Sequence, residues 1–169
     1  MLRRNSVVIL FLAALSVWLV VALVSVPATG TEKKPTYVGD NATKCKMCHP
    51  DQVKTWEKWD MAKAMDSLKG DMAKNEKCLK SHVTDWGAES GFKSMEKTPK
   101  LAGVQCEACH GPASLHMAAP ITDKEKRRAT VEKPTKDTCL ACHNKEYFGF
   151  KEFDYDKALP KIKHWEEKE

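Results

Sequence analysis

Beyond its first thirty residues this chain has little material for a hydrophobic core. Of the 139 residues after Gly30, only 17 are Leu, Ile, Val or Phe. That is about 12%, where a charged chain usually needs about 20% to bury enough surface to fold. Glycine is scarce, 8 in 169 residues, and none sits in a phosphate-cradling loop. Apolar runs of strand length are missing as well. Together these absences exclude a Rossmann, TIM-barrel or sandwich enzyme. A dominant charge is lacking too: the net charge is +5 for the whole chain and about +3 without Arg3 and Arg4. Lys and Glu are interspersed and no basic stripe carries aromatics, so nucleic acid is not an expected partner. The one basic cluster, Lys124 to Arg128 (KEKRR), reads as a solvated helix face. A body this poor in apolar residues folds only if its core comes from elsewhere, such as metal, disulfides or large cofactors.

What is present begins with a leader. Arg3 and Arg4 precede an uncharged run from Val7 to Val26, followed by small residues and a charged segment from Glu32. Its 20 residues exceed the usual run of about 7–15 in a cleaved signal and match the about 20 of a membrane-spanning helix. Val26 and Ala28 also suit cleavage after Ala28. Residues 1–30 are therefore read as a signal peptide or an uncleaved membrane anchor, an N-terminal hydrophobic helix. Either sends the body, residues 31–169, across the membrane to the periplasm or the outer face of the cytoplasmic membrane.

The body's seven cysteines fall in a repeat. Cys45-Lys-Met-Cys48-His49, Cys106-Glu-Ala-Cys109-His110 and Cys139-Leu-Ala-Cys142-His143 are complete CxxCH motifs, and Cys78-Leu-Lys-Ser81-His82 is a fourth with serine in the second thiol position. CxxCH is the attachment sequence of c-type haem. On a helical turn positions i, i+3 and i+4 share a face, so two thiols reach the haem vinyl groups while the next imidazole reaches the iron. Zinc sites and disulfides are the rivals. Zinc requires no histidine directly after each CxxC pair, and an odd cysteine count suits a disulfide framework poorly. The expected cofactor is haem c, three to four copies, held by Cys45, Cys48, Cys78, Cys106, Cys109, Cys139 and Cys142. The proximal ligands are then His49, His82, His110 and His143.

Breakers and caps predict a mostly α, loop-rich fold with a haem-filled core. Pro50 starts a helix over Asp51 to Lys69 that ends at Gly70, and Thr98-Pro99 opens a short one into the third motif, closed by Gly111-Pro112. Thr122 to Lys133 reads as a polar surface helix and Lys161 to Lys168 as a C-terminal one. Phe148, Phe150, Phe153 and Tyr155 are expected to cover porphyrin faces or edges.

The four-motif order, the tryptophan-bearing segment after the first motif and the stretch TPKLAGVQCEACHGPASLH from Thr98 to His116 resemble the tetrahaem cytochrome c-554 family, also called the cytochrome c-552/4 domain. The resemblance covers about residues 37–150. It implies an exported electron-transfer protein with closely stacked haems, often with histidine as second axial ligand. This chain departs from the pattern at Ser81 and at Met61, which stands where the run Trp56-Glu-Lys-Trp-Asp-Met61-Ala62 would carry a histidine.

Six histidines are present, and four of them lie in motifs. His116 and His164 are the only imidazoles left for distal ligation, so four bis-histidine haems are excluded within one chain. Gly111 and Pro112 turn the chain between His110 and His116, which assigns His116 to a different haem from that of His110. Met61 is the leading thioether candidate, on an apolar stripe with Trp56, Trp59, Met65 and Leu68. The expected function is an electron carrier between redox protein partners, with membrane contact through the N-terminal segment if it is uncleaved. The alternatives are a haem reductase of a small nitrogen or sulfur oxyanion and a subunit of a haem filament. No catalytic residue is identified.

Overall fold

The computed structural model describes residues 33–147 and 150–164. The leader, Phe148 and Trp165 lie outside the described residues. Within the unit Lys34–Glu169, the described residues hold seven short α-helices joined by turns and 3₁₀ segments. They contain no strand, only an isolated bridge between Val83 and Ala102. None of these helices is long and apolar enough to cross a membrane.

Each helix is short because its ends are written locally. Helix α1 (Pro50–Trp56) starts with proline at its first position and Asp51 in its first turn. Helix α2 (Glu76–His82) is capped by Asn75 Oδ1, which accepts from Lys77 N at 3.0 Å. Helix α3 (Cys106–His110) ends at Gly111, whose φ of 71° favours glycine. A Cβ there would meet the Glu132 carboxylate at 3.0 Å. Helix α4 (Ser114–Ala118) follows directly. In α5 (Lys124–Ala129) Asp123 caps Lys126 N, in α6 (Lys136–Leu140) Thr135 and Thr138 form a capping box, and in α7 (Tyr155–Ile162) Asp154 caps Lys157 N.

Three expected helices are corrected. The single helix over 51–69 stops at Trp56, and 3₁₀ turns follow at Asp60–Lys63, Met65–Ser67 and Gly70–Lys74. Tertiary bonds override propensity there. Trp59 takes an extended backbone, Trp56 Nε1 donates to the Val104 carbonyl at 2.9 Å, and Val104 N donates back to Met61 O at 3.3 Å. Met61 therefore sits on a 3₁₀ turn and not on a helical stripe. The helix expected to run from Pro99 into the third motif is a 3₁₀ turn, Pro99–Leu101, separated from α3. The C-terminal helix begins at Tyr155 instead of Lys161 and carries Pro160 inside its last turn, leaving His164 beyond its end.

Apolar packing is as thin as the composition implies. Leu68, Leu79, Val83, Phe92 and Leu101 form one cluster, with Tyr37, Met65, Cys78 and Trp86 packed on it. Buried polar groups knit the rest: Thr84 Oγ1 donates to Gly103 O at 2.9 Å, and Gln105 Nε2 donates to Lys100 O and Ala102 O. Phe92, 1% exposed, is the largest fully buried side chain among the described residues. Phe92→Ala is expected to cost about 3–5 kcal/mol, read as a lower denaturation midpoint with haem content held equal.

Candidate haem-binding site

The four motifs each present a helical turn, by different means. The second ends α2 and the third is α3 itself. In the first and fourth, outside or at the end of a helix, the histidine amide bonds back to the first cysteine's carbonyl, His49 N to Cys45 O at 2.9 Å and His143 N to Cys139 O at 2.9 Å. The i, i+3, i+4 arrangement that attachment needs is thus kept in all four.

The motifs also converge. Cys45 and Cys106 lie against each other, an interaction that raises the Cys106 thiol far above the ordinary range and lowers Cys45, so the first motif lies on the third. Burial pushes the Cys109 thiol up to about 11, helped by the neighbouring Cys139 and Cys142, which places the fourth motif beside the third. Cys142 Sγ lies 3.9 Å from the Lys80 carbonyl, bringing the fourth motif to the second. Burial raises Cys139 and Cys142 as well.

The imidazoles are oriented by backbone carbonyls. His82 Nδ1 lies 2.7 Å from Ala64 O, His110 Nδ1 3.0 Å from Glu132 O, His116 Nδ1 2.8 Å from Arg127 O and His164 Nδ1 3.0 Å from Ile162 O. A carbonyl only accepts, so in each ring Nδ1 carries the proton and Nε2 carries the lone pair that a metal would take. Burial pushes the pKa values of His49, His110 and His143 down, favouring the neutral rings that ligation requires.

Two pairs of rings lie close together, one with planes 28° apart and the other edge-on at 74°. The centroids of His49 and His116 are 6.2 Å apart, and those of His110 and His164 are 5.9 Å apart. A metal–nitrogen bond of about 2 Å puts a ring centre about 3 Å from the metal, so two imidazoles on opposite sides of one iron have centres about 6 Å apart. Both pairs fit that spacing. His143 differs: Phe153 stacks on it at 4.3 Å with the planes 14° apart, too close for a metal between them. His164 also lies against Trp59, centroids 5.6 Å apart.

The space matches the donors. A cavity of about 1280 Å³ is lined by Cys78, Ser81, His82, Cys109, Cys139, Cys142 and His143, together with Met61, Trp86, Phe150 and Phe153. It exceeds the about 300–1,000 Å³ of an ordinary small-molecule pocket. A second, of about 440 Å³, lies over Cys48, His49 and His116. Ser81 Oγ is buried with no hydrogen-bond partner among the described residues. An apolar, thiol- and imidazole-lined hollow with neutral Nε2 donors fits covalently attached porphyrin.

Some residues escaped the sequence reading. Lys124, Arg127 and Arg128, read there as a solvated face, line the second cavity at i, i+3 and i+4, and Arg127 Nη2 approaches His116 Nε2 at 3.4 Å. The cluster KEKRR was the available signal. Tyr155 lies under the Lys136 ammonium at 5.9 Å from its ring centre, whereas Phe150 and Phe153 do line the main cavity.

Fold and motif spacing together resemble those of a small multihaem cytochrome c. Residues 44–111, holding the first three motifs, match the family described as cytochrome c554 and c-prime. The resemblance read from the motifs is that of this family, whose members carry covalently bound haem c. Cytochrome c-554 of Nitrosomonas europaea is 30% identical over 129 residues, covering 59% of this chain and 55% of that protein. The chain thus matches about half the length of this curated relative. The structure of reduced cytochrome c554 from Nitrosomonas europaea superposes with a TM-score of 0.60 at 23% identity, covering 75% of this chain and 83% of that one. The fold is shared.

Proposed function

We propose that this protein is an exported multihaem electron carrier that relays electrons between redox protein partners. The observation that carries the reading is the pairing of His49 with His116 and of His110 with His164, each about 6 Å across. In this reading both irons are closed by two imidazoles and exchange electrons without binding a substrate. Haem supplies one-electron chemistry, tuned by axial ligands and burial. The chain's own residues attach, orient and enclose it. Cys45 with Cys48, Cys106 with Cys109 and Cys139 with Cys142 form thioethers, while Cys78 forms a single one. Carbonyls of Ala64, Glu132, Arg127 and Ile162 hold the rings of His82, His110, His116 and His164. His82 and His143 have no second imidazole, and Met61, on the wall of the main cavity, is the candidate sulfur ligand there. Phe153 covers the His143 ring. Residues 1–30 carry the body, 31–169, across the membrane as signal or anchor.

The pairing of His164 with His110 inside one chain gives His164 a role without a second subunit, which weakens the filament alternative. A reductase needs an open iron beside polar donors; the cavity wall holds Lys77, Lys80 and Ser81 as well as Met61, Leu68 and Trp86, so carbon monoxide binding to the reduced protein separates the two readings. Acid–acetone extraction of the exported protein should leave the colour on the polypeptide, and its intact mass should report three or four haems and the fate of the leader. Free haem with a colourless chain would overturn the proposal.

A further inference from the structure

Arginine is rare in this chain. Of its 28 Lys and Arg residues only four are arginine: Arg3 and Arg4 in the leader, and Arg127 and Arg128 in the body. Both body arginines line the cavity of about 440 Å³ over Cys48, His49 and His116. Lys124 lines it too, so positions i, i+3 and i+4 of α5 turn three cations to one side. No carboxylate belongs to the cavity wall, and no ion pair among the described residues includes any of the three. Three like charges on one wall repel one another unless an anion sits between them. Arg127 reaches inward, Nη1 donating to the Ala119 carbonyl at 3.1 Å and Nη2 standing 3.4 Å from His116 Nε2. That Nε2 carries the lone pair a metal would take, so ligation leaves Nη2 in need of another acceptor. A solvated face is served equally well by lysine. What arginine adds is a planar fork of donors that takes a carboxylate through two bonds at once.

We infer that Arg127 and Arg128, with Lys124 beside them, form a clamp for the propionate carboxylates of the haem attached at the first motif. The thiols and imidazoles around this cavity fit a porphyrin, and a porphyrin of this kind brings its own carboxylates to a wall that has none. Helix α5 then has two tasks on one haem. The Arg127 carbonyl holds the His116 ring through Nδ1 at 2.8 Å, and the side chains of the same helix face hold the porphyrin's acidic edge. The pairing fixes how the ring is turned and neutralises carboxylates that are drawn out of water. The three cations are binding residues for the cofactor and have no part in its electron chemistry.

The inference rests on the electron-carrier reading, so the test begins with haem number by intact mass. A chain without covalent haem overturns both, whereas a loaded chain that fails the next measurements overturns the clamp alone. Phenylglyoxal, which couples to guanidinium groups, is applied to the loaded natural protein, native and in urea, and its uptake at each arginine is located by peptide mass. Arg128 is exposed, so as a plain surface residue it would react as fast in the native protein as in the unfolded one. Held by a carboxylate, it should react about tenfold more slowly when native, the factor that about 1.4 kcal/mol of pairing gives. This measurement needs no variant, so it decides even if Arg128→Gln does not accumulate in loaded form. In loaded Arg128→Gln the propionate-bending band of the resonance Raman spectrum should lose the intensity of one haem and regain it at lower frequency. Arg128→Lys should restore part of the shift. Lys126→Gln, on the same helix but off the cavity wall, should leave the band in place. An Arg128 as reactive native as unfolded, or a band unmoved by Arg128→Gln or moved equally by Lys126→Gln, would overturn the inference.

Discussion

Replacing His116 with alanine should leave haem number unchanged and turn one low-spin haem into one that binds carbon monoxide when reduced. The imidazole is held for one purpose. Its Nδ1 is committed to the Arg127 carbonyl at 2.8 Å, its ring centre stands 6.2 Å from that of His49, and burial keeps His49 neutral. Alanine leaves no donor on that side, so the oxidised spectrum should gain a high-spin component worth one haem and the reduced protein should bind one more carbon monoxide per chain. His164→Ala should produce the same change at the third motif, because His164 is the ring 5.9 Å from His110. Carbon monoxide stoichiometry and spin state identical to the natural protein in both variants would remove the two pairings, while covalent attachment would be untouched by that result.

The candidate attachment motifs are legible in the sequence because they are local. Five consecutive residues specify a haem site, and the helical turn they need is supplied even where the regular helix has ended, as the His49 and His143 amides show by bonding back to Cys45 and Cys139. Helix starts at Asn75, Asp123 and Asp154 are set by side-chain oxygens that accept from amides two or three residues on and belong to the same local grammar. The proposed distal rings obey no such grammar. His116 meets His49, and His164 meets His110, only because α4, α5 and the segment after α7 return to the motifs through space. His116 lies beside His49, of the first motif. The segment after α1 misled for the opposite reason. Its residues are good helix formers, but Trp56 and Met61 are tied to Val104, two residues before the third motif, and these bonds outweigh a propensity worth a few tenths of a kcal/mol per residue. Arg127 was hidden in a run of charge that resembles any solvated surface, and only the fold shows its carbonyl orienting His116.

The second motif bears the other large prediction, that it keeps its haem through one thioether. Helix α2 runs through the motif to His82, and His82 Nδ1 is fixed on Ala64 O at 2.7 Å, so the ligand is oriented as at the complete sites. Cys78 and Ser81 both line the main cavity, and the Ser81 hydroxyl is buried with no partner among the described residues. A hydroxyl does not replace a thiol in bonding to a vinyl group, so one attachment is lost here. Without a porphyrin this wall would border a void next to the fourth motif, whose Cys142 approaches the Lys80 carbonyl at 3.9 Å, and a void that size would collapse or destabilise a chain with so few apolar side chains. The intact natural protein should therefore carry four haems, and Ser81→Cys should keep four while making the second harder to remove. Cys78→Ala should release one haem under denaturing extraction and leave three, whereas Cys106→Ala should release none because Cys109 still holds its haem. Three haems in the natural chain and four in Ser81→Cys would show that serine at this position costs the site its cofactor.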